Sequence, residues 1–328
     1  MRKFSHIYIE SEAYKFPITQ QILDKFSESI QIEIKDYKNI FNRSNQNFQA
    51  QKNSMKLILA VKKDNFYYSG SNVVNNYGYK HFYYNTMILN CLFNCEYCYL
   101  QGMFNSGNIV IFVNIEDFFK ETRILLQNSS IYLCISYETD LLAFEKLVPY
   151  TSKWIEFARE NQNILIETRT KSNQYRLIQN QTPAKNFILA WTISPEILIK
   201  THEAGTANLN QRIKNIKSAA EDGWNVRICI DPILHVPDWK EIYISFINSV
   251  FSDLSESSIY DISLGSFRIN ADYLKKIKKI RTDSKLLHYP FEREQNLNVY
   301  KKEKSLELTE TISNEIQKFI PKEKIFIS

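Results

Sequence analysis

From residue 82 onward, apolar β-type runs alternate with helix-compatible segments, and that rhythm limits the possible fold more than any other feature. The runs cover 82–89, 130–136, 164–168, 187–193, 226–230 and 259–264. Between them, 115–127, 141–160, 173–179, 208–222 and 239–254 read as helices, with Asn208 as an N-cap and Gly223 where a helix should end. Strands alternating with helices predict a parallel sheet with right-handed crossovers. Six of them predict an α/β fold, a partial (β/α)6 TIM-type barrel rather than a closed eight-fold one, with its chemistry at the C-terminal strand ends. Before the barrel, strands at 4–9, 30–34 and 56–61 and a helix at 19–27 surround an Asn/Gln-rich loop at 39–54. The expected organisation is an N-terminal α/β extension (1–80), a barrel core (81–268) and a C-terminal extension (269–328).

The composition is that of an ordinary globular chain, with 44% apolar and 23% charged residues, and 7 Gly and 8 Pro leave no low-complexity linker. A net charge of +5 permits a nucleic-acid partner without requiring one. No stretch approaches the roughly 18 apolar residues of a membrane span, and no signal h-region opens the chain, so a cytoplasmic protein with no membrane partner is expected.

Three of the five cysteines, Cys91, Cys95 and Cys98, fall within eight residues directly after the first barrel run. Such a cluster reads as a metal site rather than a disulfide framework. A structural zinc or an ordinary iron–sulfur cluster takes four protein ligands. Three thiolates therefore leave two readings: a zinc knuckle completed by a distant Cys or His in a non-enzymatic nucleic-acid-binding module, or a [4Fe-4S] cluster with one iron open to another ligand. Among the other cysteines, Cys134 ends the second run, where a buried hydrophobe and a site residue are both possible, and Cys229 reads as core.

C-x3-C-x-aromatic-C resembles the signature of radical S-adenosylmethionine (SAM) enzymes, whose open iron binds SAM. Cys95-Glu96-Tyr97-Cys98-Tyr99-Leu100-Gln101 resembles the cluster loop of the spore photoproduct lyase family. Ile7-Tyr8-Ile9-Glu10, Asp24-Lys25-Phe26, Ile32-Glu33-Ile34, Val113-Asn114, Thr170-Lys171, Glu203-x-Gly205-Thr206, Gln211-Arg212-Ile213 and Phe319-x-Pro321 extend the likeness along nearly the whole chain. The resemblance implies a radical SAM barrel in which Cys91, Cys95 and Cys98 hold the cluster. It implies repair of 5-thyminyl-5,6-dihydrothymine in damaged DNA to two thymines through a 5′-deoxyadenosyl radical, with an electron donor such as a flavodoxin or ferredoxin. Cys134, in Cys134-Ile135-Ser136, would donate hydrogen to the product radical. Tyr97 would pack near the adenine and, with Tyr99, relay an electron and proton; aromatic shielding of the cluster is the plainer reading of both. Lys171 would meet the SAM carboxylate, and Ser136, Thr192 and Ser194 would contact SAM, the last two standing where the family has Ser-x-Asn. Glu138, Asp231 and His235 are further pocket candidates. The basic run 275–281, with His288, Tyr289, Phe291 and Arg293, reads either as a solvated helix face or as a phosphate contact. Region 286–300 is Gly-free and more acidic than the duplex-wedging hairpin of characterised family members, which keeps radical chemistry on another nucleic acid or a small molecule in view.

Overall fold

The computed structural model describes residues 3–70 and 75–328. Its larger sheet contains six strands in chain order: Phe82–Tyr84, Ile131–Cys134, Ile164–Thr170, Phe187–Thr192, Asn225–Ile233 and Asp261–Ser266. Each pairs in parallel with the next. Tyr68–Ser69 covers one edge and Ile325–Ile327 the other, so the sheet curls without closing and the partial-barrel expectation holds. The period-2 alternation of strands divides the side chains. Leu133, Ile166, Leu189, Ile228 and Ile262 enter the main core, whereas Tyr132, Leu165, Ile188, Ala190 and Cys229 form a separate buried cluster on the opposite, lumenal face. Cys229 is therefore buried as expected, but in the lumen.

Arg227 plugs that lumen. Its guanidinium lies 3.4 Å from the Tyr77 ring centroid, donates to Tyr132 Oη at 2.8 Å and Asp261 Oδ2 at 2.6 Å, and also pairs with Glu167. Burial works against the ionised Glu167 carboxylate, yet Arg169 and Arg227 outweigh it and hold its pKa down at about 2.

A second sheet, in the order Ile30–Ile34, His6–Glu10, Leu57–Ala60, Ile109–Phe112 and Ile88–Leu89, stands beside the barrel. Here the structure departs from the sequence reading. Residues 82–89 are two strands, because the chain leaves the barrel sheet after Tyr84 and joins the second sheet at Ile88. Residues 109–112 form a strand the sequence reading did not place. The 39–54 loop contains two short helices, Lys38–Phe41 and Phe48–Asn53, the second capped by Asn47 Oδ1 accepting from Ala50 N–H at 2.9 Å. The helix expected at 141–160 splits into a 3-10 turn (Leu141–Phe144) and a helix (Tyr150–Glu160), since Pro149 has no N–H and Glu145 takes the N–H groups of Thr151 and Ser152 instead. At 173–179 only the turn Tyr175–Leu177 forms, because Ser172 Oγ captures the Gln174 N–H at 3.1 Å. Beyond the barrel come a helix (Ala271–Ile280), a hairpin (Glu292–Glu294 with Leu297–Val299) and a helix (Lys302–Ile316). Among the described residues, no helix is long and apolar enough to cross a membrane.

Candidate active site

The passage of the chain from one sheet to the other delivers the cysteine loop to the C-terminal end of the barrel. Asn90 makes the turn with φ of 68°, a conformation Asn tolerates, while its side chain donates to the carbonyls of Ser106 and Asn108 at 2.7 Å each. Cys91, Cys95 and Cys98 then line one cleft together with Phe48, Lys52, Phe93, Asn94 and Leu100. Among the described residues, no three His, Cys, Asp or Glu side chains converge closely enough to hold a single metal ion. The thiols surround a space rather than a point. Burial pushes the Cys91 thiol up to about 11 and raises those of Cys95 and Cys98, so all three keep their protons until a cation displaces them.

Two devices shape this loop. From inside, the Gln101 amide nitrogen donates to the carbonyls of Cys95, Glu96 and Cys98 at 3.0, 3.1 and 3.1 Å. From outside, Glu203–Ala204 pairs antiparallel with Asn94–Cys95, and Glu96 N–H donates to His202 O at 2.7 Å. Gly205, at φ of +88°, lets the returning chain turn away.

Behind Cys95 lies a buried polar node. Tyr97 donates its hydroxyl to Glu203 Oε1, and Arg212 Nη2 meets Glu203 Oε2 at 2.5 Å. Arg212 also donates to the carbonyls of Ala207 and Thr192 at 2.9 Å each and to Thr206 Oγ1 at 2.7 Å. Lys171 Nζ stands 5.6 Å from the Tyr97 ring centroid. Burial opposes the Lys171 charge, but Glu203 and Cys95 outweigh it, and the pKa rises above the ordinary lysine value. The residue is aimed by Asp140, which accepts from the Lys171 N–H at 2.6 Å and from Thr170 Oγ1 at 2.7 Å.

The lumenal side carries the remaining candidates. Cys134 is buried at its strand end, opposite Tyr84 and Glu167 in register, and burial pushes its thiol up to about 11. Ser136 Oγ accepts from Arg169 N–H at 2.6 Å, and Arg169 Nε reaches Glu167 at 3.1 Å. Asp231 joins this group through Arg169 at 3.8 Å and also meets Arg268 at 3.2 Å. Tyr99 donates its hydroxyl to Tyr137 O at 2.6 Å, and the Tyr137 ring stacks on Tyr84 at 4.2 Å.

The structure thus brings Tyr97, Lys171 and the Thr192 carbonyl into one node with the cysteine loop, and groups Cys134 with Ser136. Ser194 hydrogen-bonds Tyr243, which stands close enough to the node for the Glu203 charge to raise its pKa, and His235 belongs to an aromatic group with Trp239, Tyr289 and Tyr300. Glu138 is buried, and Lys62 is the charged group that opposes its raised pKa. Roles for Gln49, Lys52, Asp140, Glu203 and Arg212 were not read from the sequence. A carboxylate and an arginine nine residues apart on either side of a capped helix start were the available signal for the last two.

The spore photoproduct lyase family model matches residues 3–327. The chain is similar to spore photoproduct lyase of Bacillus subtilis, at 22% identity over 97% of this chain and 96% of the relative. It is also similar to that of Clostridium acetobutylicum, at 20% identity over 86% and 84%. A solved spore photoproduct lyase mutant with bound AdoMet and dinucleoside spore photoproduct superposes with a TM-score of 0.83 at 18% identity over 99% of both chains, a likeness of fold. With a match that runs through the thiol cavity, the Tyr97–Glu203–Arg212 node and the lumen alike, the chain belongs to the spore photoproduct lyase family.

Proposed function

We propose that this chain is a radical SAM lyase that returns the spore photoproduct, 5-thyminyl-5,6-dihydrothymine in damaged DNA, to two thymines. The observation that carries the reading is the cleft of three thiols with a half-buried cation, Lys171, beside the Tyr97 ring and a buried thiol, Cys134, in the lumen. The donor set fits a [4Fe-4S] cluster with one iron left for SAM: three cysteines line one common space, and the described residues that line it include no fourth Cys and no His, Asp or Glu. When bound, the cluster and SAM supply a 5′-deoxyadenosyl radical that abstracts hydrogen from the lesion.

The residues supply the rest. Cys91, Cys95 and Cys98 hold the iron. Lys171 offers a cation to the SAM carboxylate, and its orientation is secured by Asp140. Tyr97 presents its ring beside Lys171 for the adenine, while Glu203 takes its hydroxyl. Thr192, Ser194 and Ser136 provide polar contacts to SAM. Cys134 remains a thiol at neutral pH because burial raises its pKa, so it holds the weak S–H bond needed to quench the product radical. Tyr97 and Tyr99, which flank Cys98, would relay an electron and a proton when SAM is regenerated. The partners are damaged DNA and a one-electron donor such as a flavodoxin or ferredoxin.

Anaerobic reconstitution followed by incubation with dinucleoside spore photoproduct and SAM tests the reading. Thymine release supports it, and SAM cleavage without thymine release overturns the lyase assignment. One observation favours a second reading, the same radical chemistry on another substrate: the C-terminal hairpin exposes Glu292 and Glu294 on either side of Arg293, and the two carboxylates repel a phosphate backbone. SAM cleavage with no thymine release from either the dinucleoside or lesion-bearing duplex would favour it.

A further inference from the structure

Outside the cysteine loop lies an open depression formed by Gln49, Glu96, Ile280, Arg281, Thr282, Asp283 and Ser284. One layer of polar side chains separates it from the thiol cavity. Arg281 Nε donates to Gln101 Oε1 at 2.6 Å and Arg281 Nη2 to Asn94 Oδ1 at 2.7 Å. Gln49 donates to Gln101 Oε1 at 2.7 Å and accepts from Asn94 Nδ2 at 3.0 Å. Asn94 and Gln101 themselves line the thiol cavity. The helix Ala271–Ile280 leads into this depression and is locked to the helix after the third cysteine (Leu100–Met103) by Gly102. A Cβ there would sit 2.5 Å from the Tyr273 Cα.

The charge is concentrated in the segment that leads into this depression. Residues 271–288 contain Lys275, Lys276, Lys278, Lys279, Arg281 and Lys285 against Asp272 and Asp283, a net +4 in a chain whose total is +5. Leu274 and Ile277 are buried, which anchors the helix, while Lys275, Lys276, Lys279 and Lys285 are exposed. Glu96, the remaining carboxylate in the depression, is engaged by His202 at 2.7 Å.

We infer that this face is the docking surface for an acidic one-electron carrier protein, which delivers its electron to the cluster through the Gln49–Asn94–Gln101–Arg281 layer. The inference rests on the radical SAM reading above. In the step, the carrier is oxidised by one electron, the cluster is reduced by one electron, and no atom is transferred. A nucleic acid would also be attracted by the lysines, but the hydrogen-bonded partners of Arg281 belong to the cysteine loop, and none belongs to the lumenal set of Cys134, Ser136 and Arg169. Electrostatic complementarity of this kind accelerates encounter and weakens with salt.

The test compares Lys275→Glu/Lys276→Glu/Lys279→Glu with a charge-matched control, Lys120→Glu/Lys146→Glu/Lys185→Glu, on another part of the surface. Binding of labelled flavodoxin to the reconstituted protein is read by fluorescence anisotropy at low and high salt, without turnover. SAM cleavage is then driven either by reduced flavodoxin or by dithionite, which needs no docking surface. The expected result is about tenfold or greater loss of flavodoxin affinity in the first variant only, with a matching loss of flavodoxin-driven cleavage and unchanged dithionite-driven cleavage. Equal flavodoxin affinity in the two variants overturns the inference. So does loss of lesion-bearing duplex binding with flavodoxin binding intact, which would make the helix a nucleic-acid contact. Absence of dithionite-driven cleavage in the unsubstituted protein would instead defeat the functional reading, a result distinguishable because the anisotropy arm needs no turnover.

Discussion

Replacing Arg212 with Met should weaken both the fold and the cysteine loop, and the two effects can be separated. Arg212 is fully buried and makes four hydrogen bonds, to Ala207 O, Thr192 O, Thr206 Oγ1 and Glu203 Oε2, at 2.9, 2.9, 2.7 and 2.5 Å. Methionine fills much of the volume but strands a buried carboxylate and two backbone carbonyls. Breaking one partner of a buried ion pair costs about 3–5 kcal/mol. Lys171 remains beside Glu203 and offsets part of the lost pairing, which keeps the expected loss inside that range rather than above it. Arg227→Met is the matched control. It removes an equally buried guanidinium from Glu167, Asp261 and Tyr132 in the barrel lumen, and should cost a similar amount in urea denaturation. Only Arg212 secures the segment that pairs with Asn94–Cys95, so only Arg212→Met should lose iron after anaerobic reconstitution and desalting. An Arg212→Met protein within about 1 kcal/mol of the parent would refute the energetic argument. Equal iron loss in both variants would refute the clasp, since general instability would then explain it.

Three further outcomes follow from the same geometry. The Glu167 pKa is held at about 2, below the ordinary glutamate value of 4.5, so it contributes stability that is fully present above pH 4.5 and lost as pH falls toward 2. Urea midpoints should be insensitive to this group between pH 5 and 7 and fall below that, and an Arg227→Met background should shrink the fall; an unchanged fall would show that Arg227 does not hold the carboxylate. Gly102→Ala should cost about 1–3 kcal/mol, because its Cβ would meet the Tyr273 backbone at 2.5 Å, and urea denaturation within a few tenths of the parent would show that the two helices can part freely. Cys134→Ala removes one sulfur atom and should cost roughly 1 kcal/mol of stability. It should nevertheless let SAM be consumed while clean thymine release gives way to by-products in a chromatographic assay; clean repair would leave Cys134 as packing alone.

How much of this was legible beforehand depends on the range of the interaction. The six barrel strands were readable because each is an apolar run bounded by polar segments, a local pattern. Ile109–Phe112 is also an apolar run between polar residues, but it is only four residues long and falls between the cysteine loop and the first barrel helix, where the strand–helix alternation leaves no place for another strand. Residues 82–89 looked continuous because nothing in Asn85-Thr86-Met87 obliges a break; the break exists because two different sheets compete for the two ends. The thiol triplet declared itself by spacing within eight residues. Its surroundings could not, since Tyr97 meets Glu203 across 106 positions, Gln101 meets Arg281 across 180, and Gln49 meets Gln101 across 52.

That division has a physical consequence for the site. A loop whose ligands are local but whose shape depends on distant partners cannot be preformed in the unfolded chain, so iron affinity and barrel stability are linked. Gln101 spends its amide on three loop carbonyls, Glu203–Ala204 completes a two-stranded ladder with Asn94–Cys95, and Arg281 closes the outer side. Each of these comes from a separate part of the chain: the helix after the loop, the segment after the fourth barrel strand, and the C-terminal basic helix. Loss of any one should therefore reduce iron retention without touching a cysteine, and the cysteine spacing specifies the ligands while the folded barrel specifies the cavity they share.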